Sequence, residues 1–194
     1  MKRVLKGIIF DFDGTLGDFP INLVEIRQAL AKKHEELVGY RLAFSPYLVT
    51  IDRHVDDPHV KEALFDVIER MEVELIDQFK PFVEVFRKIQ EFQKAGLTRF
   101  AIFANTAESV IHQCLRKQGM DDLFDPIIGL RSVTEHKPSP QGLYAIVDNW
   151  KIAPSEVMYV GDTTPDAHAA ARAILQYSDV RDFINLELDH FEIS

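Results

Sequence analysis

The sequence predicts an α/β protein: a doubly wound parallel sheet with a small helical domain inserted after the first strand. Two observations predict this class. Short apolar runs of strand length alternate with amphipathic helical patterns along most of the 194-residue chain. The first run is separated from the others by residues 17–81, whose pattern is mainly helical. We therefore expect a core formed by residues 1–16 and 82–194, and an inserted helical domain formed by residues 17–81.

Four apolar runs are predicted to be the strands of the core. Each is short, is rich in β-branched, aromatic or other large apolar residues, and is followed by polar or turn-forming residues. The runs occupy residues 7–10, 99–104, 127–128 and 157–160. Open α/β sheets bind their ligands at the carboxyl ends of the strands. The residues that follow these runs are therefore the first candidates for a functional site.

Apolar residues at helical spacing predict two long helices in the inserted segment. The first carries Leu23, Ile26, Leu30, Leu37 and Val38, mostly on one face, and the second runs from Val60 to Phe79. The segment from Ser45-Pro46 to Pro58 between them is rich in turn formers and is predicted to be a loop.

Helices are also predicted after Pro81, between the later strands. The first is closed by Gly96, as a C-terminal cap would close it, and the second carries Cys114 on its apolar face and is closed by Gly119. The third has Ser139 as its N-cap and Pro140 at its first position, and it ends at Trp150; the fourth starts at Pro165 and ends near Leu175.

Composition and charge exclude several classes of function. The net charge of −9 argues against binding to nucleic acids, because phosphate backbones select basic surfaces. Cys114 is the only cysteine, so no intramolecular disulfide can form. No stretch approaches the roughly 20 apolar residues of a membrane span. We expect a cytoplasmic protein whose partner is a small molecule and not a membrane; the oligomeric state stays open.

Acidic residues follow the first and the last predicted strands. Asp11 and Asp13 belong to the pentapeptide 11–15, and Asp162 and Asp166 follow the run at 157–160. Two carboxylates spaced in this way can divide the work of phosphoryl transfer or hydrolysis, one attacking and the other moving protons. The alternative is an acidic turn that only ends the strand, with Gly14 supplying the bend.

Other polar residues follow the middle strands, and each also has a simpler interpretation. Lys137, made extended by Pro138, can present a positive charge, or it can be a solvated loop lysine. Asn105 and Thr106 can bind a phosphoryl oxygen, but Thr106 can equally be a helix N-cap. Asp166 lies in the first turn of a predicted helix, where the helix dipole favours any acid.

In this order and spacing, the four segments resemble the signature motifs of the haloacid dehalogenase (HAD) superfamily, in its magnesium-dependent phosphatase form. The resemblance runs from about residue 7 to residue 175. It implies a HAD-like, Rossmann-type core and identifies the inserted helices as a cap domain. It also implies a hydrolase that cleaves a small phosphate monoester, such as phosphoglycolate or a sugar phosphate, through an aspartyl-phosphate.

The resemblance also assigns roles to the candidate residues. Asp11 is expected to be the nucleophile, Asp13 the general acid and base, and Lys137 the fixed positive charge. Magnesium is expected to be held by Asp11, Asp162, Asp166 and Asp13, the last through its backbone carbonyl. Carboxylate oxygens are the hard ligands that this ion prefers. The expected phosphate-binding residues are Asn105, Thr106 and Lys137.

Two departures from the family pattern keep other functions open. Ala104 stands where the family has a Ser or Thr that donates to the phosphoryl group. The missing bond can cost about 1.5–3 kcal/mol, so activity is expected to be modest. No glycine follows Gly161, so the last strand of the sheet is expected to be shortened or rebuilt. The alternatives are a phosphomutase of the same superfamily and a non-catalytic or weakly active binding protein on the same fold.

Overall fold

A computed structural model describes residues 2–193; the outermost residues of the predicted core, 1 and 194, lie outside the described part. The strands are β1 (Arg3–Leu5), β2 (Gly7–Phe10), β3 (Gly17–Asp18), β4 (Lys80–Pro81), β5 (Phe100–Phe103), β6 (Ile127–Ile128), β7 (Val157–Gly161), β8 (Gln176–Asp179) and β9 (Phe191–Ile193). The helices are α1 (Leu23–Val38), α2 (Tyr47–His54), α3 (Pro58–Val73), α4 (Val83–Lys94), α5 (Glu108–Lys117), α6 (Gln141–Trp150), α7 (Thr164–Ala173) and α8 (Val180–Phe183).

Five parallel strands form the central sheet, in the order β6-β5-β2-β7-β8. Strand β2 lies in the middle, where Ile8 is opposite Phe100 on one side and Met158 on the other. All residues of β2, β5 and β7 are buried, as expected for a parallel sheet covered on both faces. The predicted α/β fold is confirmed, and the carboxyl ends of the three central strands meet at one edge of the sheet.

The edge strand β8 is present, so of the two predicted outcomes, a shortened or a rebuilt last strand, the structure shows the second. Helix α7 ends without a glycine because Ile174 itself adopts the left-handed conformation, with φ of 60°, and the chain then turns into β8. The extreme C-terminal segment adds strand β9, which pairs with β1 outside the central sheet. The edge is therefore rebuilt around a strained turn rather than lost.

The inserted segment contains three helices rather than two. Helix α2 lies inside the predicted loop, where Leu48 and Ile51 are buried. Its eight residues lie between Pro46 and Pro58. Prolines and other turn formers on both sides of so short a helix favour the prediction of a loop. Helix α3 ends at Val73 rather than at Phe79, because a separate 3-10 turn, Ile76–Gln78, follows.

Other predicted boundaries and faces also need correction. Leu23, Leu37 and Val38 are exposed, and His34 replaces them on the buried face of α1. Helix α6 begins at Gln141, with Pro140 as its N-cap residue, while the Ser139 hydroxyl accepts the Gln141 N–H at 3.4 Å. Pro140 is therefore the residue before the helix rather than its first residue, although Ser139 still accepts an N–H of the first turn.

The inserted helices and the sheet share one apolar core. Strands β3 and β4 pair the two ends of the insertion, with Gly17 opposite Pro81. Phe12, which follows β2, stacks on Phe79 at 4.9 Å between ring centroids, and both belong to a cluster that also includes Leu30 and Leu64. Among residues 2–193, no helix is long and apolar enough to cross a membrane.

Replacing Ile174 by Gly is expected to stabilise the protein. A β-branched residue at positive φ is strained by about 1–2 kcal/mol, and the Ile174 side chain loses little packing because it is 75% exposed. We expect Ile174→Gly to raise the free energy of unfolding by about 1 kcal/mol and Tm by about 2–4 °C. Ala171→Gly, at an exposed position in the same helix, should have the opposite effect. Loss of stability in Ile174→Gly, measured by urea unfolding, would contradict the strained turn.

Candidate active site

Three carboxylates converge at the carboxyl edge of the sheet. Asp11 follows β2 and donates its backbone N–H to the Val160 carbonyl at 2.9 Å, while Asp162 follows β7 and Asp166 lies in the first turn of α7. One oxygen from each carboxylate lies within 4.8 Å of the others. Asp11 and Asp166 are buried and Asp162 is exposed. This donor set is suited to a divalent cation, which binds oxygen ligands.

The ammonium group of Lys137 lies inside this cluster. Its Nζ donates to Asp11 Oδ1 at 2.6 Å and to Asp166 Oδ1 at 2.7 Å, and it lies 3.2 Å from the Tyr159 hydroxyl. Burial disfavours the charged amine, but the two carboxylates outweigh burial and raise the pKa of Lys137. The interpretation as a solvated loop lysine is therefore wrong, because the side chain is buried and doubly ion-paired.

Asp166 caps the start of α7 and also accepts hydrogen bonds from the buried Lys137 and Tyr159 side chains. Its Oδ1 accepts bonds from Lys137 and from the Tyr159 hydroxyl, the latter at 2.9 Å. Its Oδ2 accepts the Thr163 N–H at 3.0 Å and also the Thr163 hydroxyl, which closes the N-terminus of α7. Burial opposes ionisation, but the Lys137 charge and these bonds lower the pKa of Asp166. Four donors already occupy the two oxygens, so its position is fixed by the protein alone.

The carboxyl group of Asp13 is not one of the three converging carboxylates and is held by the chain that follows it. Its Oδ1 accepts the backbone N–H of Phe19 at 3.0 Å. Burial raises the pKa of Asp13 to about 6, against the lowering effect of that bond. Burial likewise raises the pKa of Asp11 to about 7; Lys137 opposes this shift and the negative charge of Asp166 adds to it. The single ammonium group of Lys137 faces the carboxyl groups of Asp11, Asp162 and Asp166, so it cannot neutralise all three when they are ionised.

Gly14 brings the loop after β2 close to the end of β7. It has a φ of +76°, and a Cβ atom at this position would lie 2.3 Å from Asp162 Oδ2. Next to it, the Thr15 hydroxyl donates to Asp162 Oδ1 at 3.3 Å. Gly14 supplies the bend expected of an acidic turn that ends a strand. Its lack of a side chain also leaves room for the Asp162 carboxylate. A cavity of about 480 Å³ is lined in part by Gly14 and Asp162.

The loop after β5 supplies polar groups but no hydroxyl at its first position. Ala104 is buried, and the Asn105 side-chain oxygen accepts the Lys137 backbone N–H at 3.3 Å. Thr106 is buried but is not the N-cap of α5, because that position is Ala107. The structure therefore brings the loop carrying Asn105 against the lysine loop and corrects the helix-cap interpretation of Thr106.

Glu72, on α3 in the insertion, approaches the same loop and was not predicted. Its Oε2 accepts the Ala107 N–H at 2.9 Å, and within residues 2–193 nothing donates to its Oε1. Burial raises the pKa of Glu72 to about 8, and the negative charge of Glu69 adds to this shift. One signal was available in the sequence. Glu72 follows Leu64 and Ile68 at intervals of four, which places it on the buried face of its helix.

The insertion also offers tyrosine and arginine side chains that a substrate could contact, among them Arg27, Tyr40, Arg41, Tyr47 and Arg53. Tyr47 and Arg27 lie close enough to Glu72 and Asp13 to share their charged surroundings. Burial raises the pKa of Tyr47, and the charges of Glu72 and Asp13 contribute to the rise. Tyr40 is 56% exposed, and Arg41 and Arg53 are also exposed.

The arrangement of strand tips and buried acids defines an α/β protein with a polar site at the carboxyl edge of its sheet. The chain matches the family described as haloacid dehalogenase-like hydrolase over residues 8–180, and it belongs to that family. It is 28% identical over 192 residues to a phosphoglycolate phosphatase of Vibrio vulnificus, with 89% of this chain and 82% of the relative covered.

Two further similarities agree with this family. An N-acetylmuramic acid 6-phosphate phosphatase of Pseudomonas aeruginosa is 24% identical over 191 residues, with 93% of this chain and 84% of the relative covered. The crystal structure of a haloacid dehalogenase-like hydrolase from Bacteroides fragilis superposes with a TM-score of 0.66 at 26% identity, covering 98% of this chain and 97% of that one. The predicted family and the prediction of a hydrolase are confirmed, and both named relatives are phosphatases.

The ionisation of Glu72 is expected to make stability depend on pH. Its pKa in the folded protein, about 8, lies above the ordinary value of 4.5, so its contribution to stability is lost as pH rises through this window. Glu72→Gln cannot ionise and keeps an oxygen acceptor for Ala107. We expect its stability relative to wild type to increase by at least about 1 kcal/mol between pH 5 and pH 8.

Urea unfolding at several pH values measures this difference. Glu74→Gln, an exposed position two residues further along, is the matched control and should show no such pH-dependent difference. A constant difference between Glu72→Gln and wild type across pH 5–8 would show that folding does not raise the pKa of Glu72.

Proposed function

We propose that this protein is a magnesium-dependent phosphatase that hydrolyses a small phosphate monoester through an aspartyl-phosphate on Asp11. The observation that carries the proposal is the buried ammonium of Lys137 between Asp11 and Asp166, with Asp162 completing the carboxylate cluster. A reacting phosphoryl group is anionic, and its transfer needs positive charge fixed in advance at the site. Lys137 supplies part of that charge.

The carboxylate cluster fits a divalent cation. Its donors are oxygens, it includes a side chain exposed to incoming ions, and its charge exceeds what Lys137 neutralises. Asp11 and Asp162 would hold Mg²⁺ through their carboxylates and Asp13 through its backbone carbonyl, as the family resemblance implies. Asp166 would support the ion mainly through charge, because Lys137, Tyr159 and Thr163 already occupy its oxygens. Bound Mg²⁺ supplies the positive charge that favours ionised Asp11 and offsets the phosphoryl charge.

Asp11 and Asp13 would share the chemistry. An Asp11 oxygen forms a bond to phosphorus as the ester P–O bond breaks, and Asp13 gives its proton to the departing alcohol oxygen. The Asp13 carboxylate then takes a proton from a water molecule, whose oxygen attacks phosphorus and releases Asp11 and inorganic phosphate. A pKa of about 6 for Asp13 supports this double role, because both forms are accessible near neutral pH.

Lys137, Asn105 and Thr106 would bind the phosphoryl group. The ammonium of Lys137 can pass from Asp11 toward a phosphoryl oxygen while keeping its bond to Asp166. Asn105 uses its side-chain oxygen to hold the lysine loop, which leaves its amide N–H groups as donors to the phosphate. Ala104 has no donor to offer, and we expect this to limit the rate.

The inserted helices would act as a cap over the site, with residues 17–81 as the cap domain and residues 1–16 and 82–194 as the catalytic core. Glu72 bonding to the Ala107 N–H and the apolar stacking of Phe12 on Phe79 support a closed arrangement. The substrate class follows from the relatives, which are named for phosphoglycolate and for a sugar-acid phosphate. A small phosphorylated metabolite is the proposed substrate.

Phosphate release from a panel of phosphorylated metabolites, with and without magnesium, tests the function. We expect release that depends on magnesium and that falls by about 10³-fold or more in Asp11→Asn. Asp122→Asn, an exposed position remote in sequence from every motif, is the matched control and should retain wild-type activity. Appreciable magnesium-dependent turnover in Asp11→Asn would remove Asp11 as the nucleophile.

Restoring a hydroxyl at position 104 is expected to raise activity. A hydrogen bond to a charged oxygen contributes about 1.5–3 kcal/mol, so Ala104→Ser should increase kcat/KM by at least about tenfold on the preferred substrate. Ala104→Cys has a similar volume and only a weak donor, so it should bring little gain. Equal kcat/KM for wild type and Ala104→Ser, with both proteins folded, would show that another group already makes this bond.

A further inference from the structure

Asp52, a carboxylate of the inserted helices, forms two hydrogen bonds with His136, the residue that precedes Lys137. Asp52, on α2, accepts the His136 backbone N–H with Oδ2 at 2.8 Å and faces the His136 ring Nδ1 with Oδ1 at 2.8 Å. The His136 side chain is fully buried and that of Asp52 is 10% exposed. Both oxygens of one carboxylate are therefore committed to one residue, across the boundary between the insertion and the core.

The second ring nitrogen of His136 determines the form of the ring. Its Nε2 lies 2.8 Å from the backbone carbonyl oxygen of Leu130, which can only accept a hydrogen bond. The carboxylate at Nδ1 also only accepts. The contacts of His136 therefore fit a ring that donates from both nitrogens, with Asp52 as the acceptor at Nδ1 and Leu130 as the acceptor at Nε2. The Phe65 ring, from α3, packs edge-on at 5.5 Å and helps to seal the pair from water.

This pair is linked directly to the position of the catalytic ammonium. Other bonds also hold the lysine loop: the Lys137 N–H donates to Asn105 at 3.3 Å, and the Pro138 carbonyl accepts the Arg172 guanidinium at 2.9 Å. Leu130 donates its own N–H to the Thr106 carbonyl at 3.0 Å, so His136 also connects the lysine loop to the loop after β5. Without Asp52, the buried His136 ring would lose its partner at Nδ1, and the residue before Lys137 would lose the acceptor of its backbone N–H.

We propose that Asp52 is a positioning residue, which acts through its two hydrogen bonds with His136 to hold Lys137 at the phosphoryl site. The proposal rests on the proposed phosphatase function. It means that the inserted helices contribute to catalysis without touching the substrate: the fixed positive charge is in place only while α2 is docked. Other charged groups beside the pair are Arg53, Glu135 and Arg172, which line a pocket of about 160 Å³ there.

Kinetics of Asp52 variants with p-nitrophenyl phosphate and magnesium test the proposal. Asp52→Ala should lower kcat by about 10–100-fold with less than about a threefold change in KM, because a small displacement of a catalytic group has effects of this size. Asp52→Asn should stay within about threefold of wild type. Its amide can accept the His136 N–H and donate to a neutral ring, whose Nε2–H still reaches Leu130. If Asp52→Ala does not fold, Asp52→Ser takes its place with the same expectation.

Two controls distinguish a failure of the Asp52 proposal from a failure of the proposed phosphatase function. Asp77→Ala removes another ion pair between insertion and core, with Lys117, and should leave kcat unchanged. NMR of the wild-type ring should show a hydrogen-bonded proton on His136 Nδ1 at pH 7, independently of activity. Unchanged kcat in folded Asp52→Ala, or a His136 Nδ1 that makes no hydrogen bond with Asp52 in wild type, would overturn this proposal alone. Absence of magnesium-dependent turnover in wild type would overturn the proposed function, and this proposal with it.

Discussion

The buried ammonium of Lys137 is the interaction on which the arrangement of the site depends. It joins Asp11, at the tip of the central strand, to Asp166, in the first turn of the helix after the neighbouring strand. Two buried carboxylates this close to a third would repel each other without a cation between them. The lysine reduces that repulsion but does not remove it, because one ammonium group faces three carboxyl groups. The remaining negative charge is the physical basis for expecting a metal ion.

The insertion is attached to the core by polar contacts as well as by apolar packing. Arg131, in the core, pairs with Glu62, Asp66 and Glu69 of α3, and Lys117 pairs with Asp77. Exposed pairs of this kind contribute little individually. The buried contacts made by Asp52 and Glu72 differ from them, because each leaves an unsatisfied charge or donor when the insertion moves away. If Asp52 positions Lys137 as proposed, docking of the insertion and organisation of the site are coupled.

Most of the fold could be predicted from the sequence because its strands are buried on both faces and read as continuous apolar runs. Helix α2 could not, since it is short and lies between two prolines. Strand β8 could not be predicted either, because the turn before it places Ile174 in the left-handed conformation, which glycine adopts far more often than isoleucine. In both places tertiary packing overrides the local preference of the chain.

The site was predictable wherever a motif follows a strand, and less so where it depends on long-range contact. Asp11, Asp162 and Asp166 come together as expected from the strand tips. The engagement of Asp166 with Tyr159 and Thr163 depends on side-chain directions that spacing does not reveal. Contacts made by Asp52 and Glu72 join residues far apart in the chain, and no local pattern encodes such a pair.

Calorimetric titration of the protein with magnesium chloride tests the central claim most directly, because that claim concerns unbalanced negative charge and not turnover. The account predicts one binding site in wild type, and at least about tenfold weaker binding in Asp162→Asn, which removes one hard ligand. It also predicts that magnesium raises Tm in wild type more than in that variant, since an ion that binds only the folded state stabilises it. Absence of magnesium binding to the folded wild-type protein, or equal binding to both proteins, would contradict a metal site at these carboxylates.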